Sequence, residues 1–115
     1  MDKKSRKQLI NEYKNRKPEM GIISIKNNST KERFLDISKS IQADLNSHRF
    51  KLKANWHPNH RIQVLWNEHS DADFEFSVIK ELEYEDSTVD YTEKLEAILM
   101  ECLEADHYAS RLNKE

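Results

Sequence analysis

The sequence has little of several residues that particular functions require. Its 115 residues include one glycine, Gly21, and one cysteine, Cys102. A single glycine excludes a glycine-rich phosphate-binding loop, and a single cysteine excludes an internal disulfide and a multi-cysteine zinc site. No apolar run approaches the ~20 residues that span a bilayer, and no apolar signal-peptide core follows the basic N-terminus. We therefore expect a cytoplasmic protein.

The charges that are present are unevenly distributed, although the net charge is only −2. Residues 1–17 contain seven basic residues, and residues 81–105 contain nine acidic ones. Between these segments, the basic residues that could meet a phosphate are Lys39, Arg49, Lys51, Lys53 and Arg61. One face could therefore attract nucleic acid, although a charge run is more often simply a solvated surface.

The apolar residues occur in periodic clusters, as in one small folded domain. Two strands are predicted over residues 21–27 and 33–39, because they flank a polar turn. Strict alternation predicts a third strand that begins at residue 73, with Phe74, Phe76 and Val78 facing the core. Helical spacing predicts helices over residues 5–16, 40–53 and 58–68, and a last helix before residue 105. This order predicts an α+β domain with a small, largely antiparallel sheet.

Several single residues have a simple structural interpretation. His48 lies on or beside the apolar stripe of its helix, so we expect it to be partly buried and hydrogen-bonded. Both tryptophans, Trp56 and Trp66, are expected to pack in the interior, and Cys102 is expected to be a small buried hydrophobic residue. The chain from His107 onward is expected to fray.

The order of several short motifs resembles the GIY-YIG nuclease family over residues 20–105. The matching groups are Gly21-Ile22, Ile25, Asn27, Ser38-Lys39, His48-Arg49, His57-Pro58-Asn59, Trp66-Asn67-Glu68 and Phe74-Glu75-Phe76. The segment 90–93 further resembles a bacterial subset of small, single-domain members. The resemblance implies a small three-stranded, mainly antiparallel sheet flanked by helices. A basic helix and linker over residues 1–19 would precede this domain, and a tail over residues 106–115 would follow it.

The family's chemistry makes specific demands on such a domain. Members cleave phosphodiester bonds with one divalent metal ion, two tyrosines on the paired strands, an arginine on the first core helix and a glutamate on the last helix. The arginine offsets negative charge on the phosphate in the transition state. The glutamate holds the metal, which acts as a Lewis acid and a template.

The corresponding positions of this sequence depart from that pattern. The two tyrosine positions hold Ile23 and Phe34, which lack a hydroxyl. Asp36 replaces the glycine that closes the second half-motif, where the backbone would approach the substrate closely. The arginine position falls on Asp44, which inverts the charge that would face a phosphate.

The remaining positions are ambiguous in the sequence. One alignment places the metal-binding glutamate at Glu96, and another places Leu99 there. His48 and His57 could be remnants of the family's histidines, although His57 could equally serve only as a helix cap.

We therefore expect a degenerate, catalytically inactive domain that uses no metal cofactor and acts as a binding module. Its partner would be nucleic acid, bound weakly through the five basic residues between residues 39 and 61, or an unknown protein. The alternative is a Mg²⁺- or Mn²⁺-dependent endonuclease with a rearranged site that uses Glu96, His48 and His57. No residue in the sequence suggests a membrane partner.

Overall fold

The computed structural model describes residues 18–86 and 88–113. The helix predicted over residues 5–16 lies outside the described residues. The two predicted strands are present as β1 (Met20–Asn27) and β2 (Arg33–Ser38), which pair antiparallel. The Asn27 side chain organises the turn between them, because its Oδ1 atom accepts hydrogen bonds from the backbone N–H groups of Ser29 and Thr30 at 3.1 and 2.8 Å.

In the part of the chain that the structure describes, the sheet has four strands and is mixed, so the expectation of a three-stranded sheet is wrong. Strand β3 (Phe74–Leu82) pairs antiparallel with β1, as the alternating pattern predicted. The additional strand, β4 (Ala109–Arg111), pairs parallel with β2, which gives the order β3-β1-β2-β4. The segment that was expected to fray from His107 onward thus forms an edge of the sheet, and the following Leu112 is buried with 1% of its surface exposed.

Within the described residues, three helices cover the sheet, and the α+β class is confirmed. They are α1 (Ile41–Lys53), α2 (His60–Glu68) and α3 (Thr92–Ala105). Because successive strand residues point to opposite faces, the core divides into two clusters. The first contains Ile25, Phe34, Leu52, Ile62, Leu65, Phe74 and Leu112, and the second contains Ile22, Leu35 and Leu99. Helices α1 and α2 contribute to the first cluster, and α3 contributes to the second.

Two of the predicted interior positions are wrong. Trp66 does pack against Phe74 and Phe76, with ring centroids 5.0 and 6.3 Å apart. Trp56 is instead 57% exposed, because it follows the end of α1 in a loop. Val78 is 41% exposed, in a strand whose pairing register with β1 shifts beside this residue. Val78 still lies on the face of Phe74 and Phe76, because its pairing with Ile23 continues the register of Phe76 with Ile25. The alternation therefore predicted its face correctly and its burial wrongly.

No helix in the described part of the chain is long and apolar enough to cross a bilayer.

Candidate functional site

A pocket of about 310 Å³ lies at the edge of β2, where β4 ends. The pairing of these strands stops at Leu35 and Arg111, so Asp36 is the first β2 residue beyond β4. The pocket is lined by Asp36, His48, Lys51, His57, Pro58, Leu112 and Asn113. The fold therefore brings together three residues that the sequence singled out, from β2, α1 and the loop before α2.

The two histidines of this pocket are hydrogen-bonded to each other. His48 Nδ1 lies 2.9 Å from His57 Nε2, and His57 Nδ1 accepts the backbone N–H of Asn59 at 3.0 Å. Because His57 Nδ1 is an acceptor, the neutral ring carries its hydrogen on Nε2 and donates it to His48. The predicted partial burial and hydrogen bonding of His48 are confirmed.

Both histidines favour the neutral form. Burial lowers the pKa of His57 to about 4, with further contributions from His48 and Lys51. Burial also lowers the pKa of His48, and Lys51 acts in the same direction while Asp44 opposes it. At neutral pH this pair is an uncharged, oriented hydrogen-bonding unit.

Three carboxylates surround the β2 edge. Burial raises the pKa of Asp36, and Asp44 and Glu96 raise it further, whereas the Ile37 N–H group and Arg111 lower it. The Asp44 carboxylate accepts a hydrogen bond from Ser38 Oγ at 2.6 Å, which holds it at the first turn of α1. The local charge at this edge is therefore largely negative.

The two tyrosine positions of the family pattern are apolar and enclosed. Ile23 faces Asp36 across the β1–β2 pair, and Ile23 and Phe34 have 0% and 2% of their surfaces exposed. Ile23, Phe34 and Asp36 lie on one face of the sheet by the two-residue period of strands. Neither apolar side chain can position a water molecule by hydrogen bonding.

The last helix turns Glu96 rather than Leu99 toward this edge. Leu99 is 0% exposed and packs with Ile22 and Leu35 in the second core cluster. Glu96 is close enough to raise the pKa of Asp36, and its Oε1 atom lies 3.1 Å from Arg111 Nη2.

The glutamate that one alignment assigns to the metal already has a cationic partner. The guanidinium of Arg111 forms an ion pair with Glu96. Within residues 18–86 and 88–113, no three His, Cys, Asp or Glu side chains are grouped so that they could hold an ion.

The five basic residues between residues 39 and 61 do not form one patch. Lys39 pairs with Asp90 at 3.2 Å, and Arg61 pairs with Glu32 through two hydrogen bonds of 3.0 and 2.7 Å. The remaining three lie in the second half of α1. Lys51 lines the histidine pocket, and the guanidinium of Arg49 lies 4.3 Å from the centre of the Phe76 ring. Arg49 and Lys53 both line a small depression beside β3.

Sequence reasoning missed the contribution of Arg111 and Leu112. Arg111 binds Glu96, and Leu112 enters the first core cluster and lines the histidine pocket. The Asn59 side chain fixes this segment by donating a hydrogen bond to the Leu112 carbonyl at 2.9 Å. The sequence signal for this contribution was Leu112 alone. A lone leucine in a polar segment has no periodicity from which burial could be predicted.

Comparison with known proteins defines the fold. No protein-family model and no curated protein sequence matches the chain. Two solved structures of the catalytic domain of the homing endonuclease I-TevI, a GIY-YIG nuclease, are similar to it, each with a TM-score of 0.60 and 22% sequence identity. The alignment with the first structure covers 83% of this chain and 99% of that structure's chain. The second structure carries a glutamate-to-alanine substitution, and its alignment covers 84% of this chain and 96% of that structure's chain. The chain therefore has a GIY-YIG-type fold, as the motif order predicted.

Proposed function

We propose that this chain is a GIY-YIG-type domain that binds nucleic acid without cleaving it. The main supporting observation is the cluster formed by Asp36, Asp44 and Glu96 at the β2 edge, where burial and mutual repulsion raise the pKa of Asp36. A phosphodiester that entered this edge would meet negative charge where the family pattern places a glycine and an arginine. The proposed module requires no metal cofactor.

We expect these substitutions to cause a large loss of catalytic rate relative to a site that has the two hydroxyls and the arginine. Removing one preorganised hydrogen-bond donor from a catalytic site costs about 10²–10³ in rate. Here Ile23 and Phe34 supply no hydroxyl, and Asp44 supplies a carboxylate at the arginine position. Because catalytic groups act as a unit, their losses are not simply additive. The described cations at this edge are Lys51, which lines the histidine pocket, and Arg111, which is already paired with Glu96.

Nucleic acid is the proposed partner for two reasons. The similar structures belong to an endonuclease, and the second half of α1 carries lysines that form no ion pair with any described residue. Lys51 and Lys53 take part in no ion pair among the described residues, unlike Lys39 and Arg61. Contacts of lysine with phosphate are independent of sequence and steeply dependent on salt.

A cleavage assay tests the absence of catalysis. Supercoiled plasmid is incubated with the full chain and Mg²⁺ or Mn²⁺, and the expected result is no nicked or linear product. The informative variants are Glu96→Ala and Glu93→Ala, an exposed glutamate one turn earlier in α3. Cutting that is lost in Glu96→Ala and retained in Glu93→Ala would establish the alternative, a metal-dependent endonuclease with a rearranged site.

A separate titration tests the binding. Association with labelled oligonucleotides is measured at about 50 mM and about 200 mM salt, and phosphate contacts predict a steep loss of affinity between the two. If no oligonucleotide binds at the lower salt concentration, the proposed partner is wrong and a protein partner takes its place.

A further inference from the structure

A 16-residue segment of the chain contains no acidic residue, although the protein has 21 of them. This acid-free segment, residues 46–61, covers the second half of α1, the following loop and the start of α2. It carries four basic residues and two large exposed aromatic side chains, Phe50 and Trp56. Such a combination of positive charge and exposed rings is the pattern by which proteins bind single strands.

The two aromatic side chains are adjacent and largely solvent-exposed. Phe50 and Trp56 are 64% and 57% exposed, and their ring centroids are 6.1 Å apart with an interplanar angle of 86°. The chain reverses at Asn55, which has a φ of 64°. The Trp56 N–H group then donates to the Lys51 carbonyl at 3.1 Å. The fold thus holds Trp56 against the side of Phe50 instead of burying it.

Positive charge flanks this aromatic pair. Lys53 follows Phe50 by three residues and so lies on the same face of α1. The other residues that helical spacing places on this face are Ala43, Asn46, Ser47 and Ala54, and none is acidic. Lys51 lies on the adjacent face, toward the histidine pocket. One acidic residue, Asp71, lines the depression beside β3 together with Lys53.

We propose that Phe50 and Trp56 stack against unpaired bases of a single-stranded nucleic acid while Lys51 and Lys53 contact its phosphates. This proposal rests on the proposed nucleic-acid binding function and specifies its substrate class. A stacking surface requires the face of a base, which a duplex exposes only at its ends.

Fluorescence anisotropy with the full chain separates stacking from phosphate binding. The probes are labelled oligothymidylate of about 15 nucleotides and an abasic strand of equal length, which keeps the phosphates and lacks the bases. The unsubstituted protein should bind oligothymidylate at least about fivefold more tightly than the abasic strand. An oligouridylate arm tells whether the site distinguishes RNA from DNA.

Variants assign the difference to named side chains. In Phe50→Ala/Trp56→Ala the preference for oligothymidylate should disappear, whereas affinity for the abasic strand should stay the same. Lys53→Gln should weaken binding of both strands and reduce the slope of affinity against salt by about one. The matched control is Tyr108→Ala, which removes an aromatic side chain that is 50% exposed and lies outside the acid-free segment.

Three results would overturn the stacking proposal. If the unsubstituted protein binds both strands with equal affinity, base stacking makes no contribution. Phosphate binding, and with it the proposed function, would still stand. A preference that survives in Phe50→Ala/Trp56→Ala would place the base contacts elsewhere. Absence of all binding at about 50 mM salt would contradict both proposals. Cleavage activity, by contrast, would contradict the proposed function alone.

Discussion

Arg111 Nη2 lies 3.1 Å from Glu96 Oε1, so a guanidinium from β4 pairs with the carboxylate that one of the two alignments assigns to a metal ion. The two side chains are each 41% exposed. An ion pair with this exposure contributes little to folding, on the order of 1 kcal/mol or less. Its larger effect is electrostatic, because the positive charge of Arg111 lowers the pKa of the neighbouring Asp36, which burial raises.

The first prediction concerns this electrostatic coupling. In Arg111→Ala, the pKa of Asp36 should rise further above its usual value, because the guanidinium that lowers it is removed. The measurement is an NMR titration of the side-chain carboxyl carbons. The control is Arg61→Ala, which breaks the ion pair with Glu32 and should leave the titration of Asp36 unchanged. An unchanged Asp36 in Arg111→Ala would contradict the arrangement described here.

The second prediction concerns the pH dependence of folding. The pKa of His57 is lowered from 6.5 to about 4 in the folded protein, so the unfolded chain binds the additional proton more readily between these values. The stabilising contribution of neutral His57 is therefore complete above pH 6.5 and is lost as the pH falls toward 4. Chemical denaturation across this range should show a loss of about 2–3 kcal/mol from this group.

Variants isolate the contribution of His57 from that of other groups. His57→Gln cannot titrate, so its free energy of unfolding should fall less steeply with decreasing pH, although the variant is less stable at pH 7. His60→Gln replaces an exposed histidine of α2 and should keep the pH profile of the unsubstituted protein. Parallel profiles for His57→Gln and the unsubstituted protein would show that His57 is not held neutral by burial.

The third prediction concerns the C-terminal segment. Leu112→Ala should destabilise the protein by about 2–4 kcal/mol, because it leaves a cavity in the first core cluster. Tyr108→Ala, in the same segment but half exposed, should cost less than about 1 kcal/mol. Urea denaturation followed by circular dichroism compares them. Equal small effects would mean that the segment frays, as the sequence had suggested.

The fourth prediction concerns the only glycine. A Cβ atom at Gly21 would overlap the backbone carbonyl oxygen of Lys80 in the neighbouring strand. Gly21→Ala must therefore push β1 and β3 apart, at a cost of about 1–3 kcal/mol. Val78→Ala, an exposed position in the same strand pair, is the control and should be nearly neutral. A thermal shift assay is sufficient to distinguish the two variants.

The sequence predicted the elements with clear periodicity and missed the one without it. The β1–β2 pair, the strand that begins at Phe74 and the three described helices follow from apolar spacing and turn residues. Strand β4 has only three residues, Ala109–Arg111, and its parallel pairing with β2 depends on where α3 returns the chain. Local sequence does not encode that placement, so Arg111 and Leu112 were assigned to a tail.

The candidate site was predicted in part, for similar reasons. The motif order indicated that Asp36, His48 and His57 belong to one region, and the pocket brings them together. The choice between Glu96 and Leu99 required the rotation of α3, which only packing of Leu99 on Ile22 and Leu35 fixes. The exposure of Trp56 follows from the reversal at Asn55, which hydrophobicity alone does not reveal.

Binding of a divalent ion at the β2 edge would distinguish most directly between an inactive domain and a nuclease. Titration of the isotope-labelled full chain with Mn²⁺, followed by NMR, reports on this through paramagnetic broadening of nearby signals. We predict no saturable, site-specific broadening of Asp36, His48 or Glu96, in the unsubstituted protein or in Glu96→Ala. Saturable broadening centred on these residues that disappears in Glu96→Ala would contradict the proposal of an inactive domain and indicate a functional metal site.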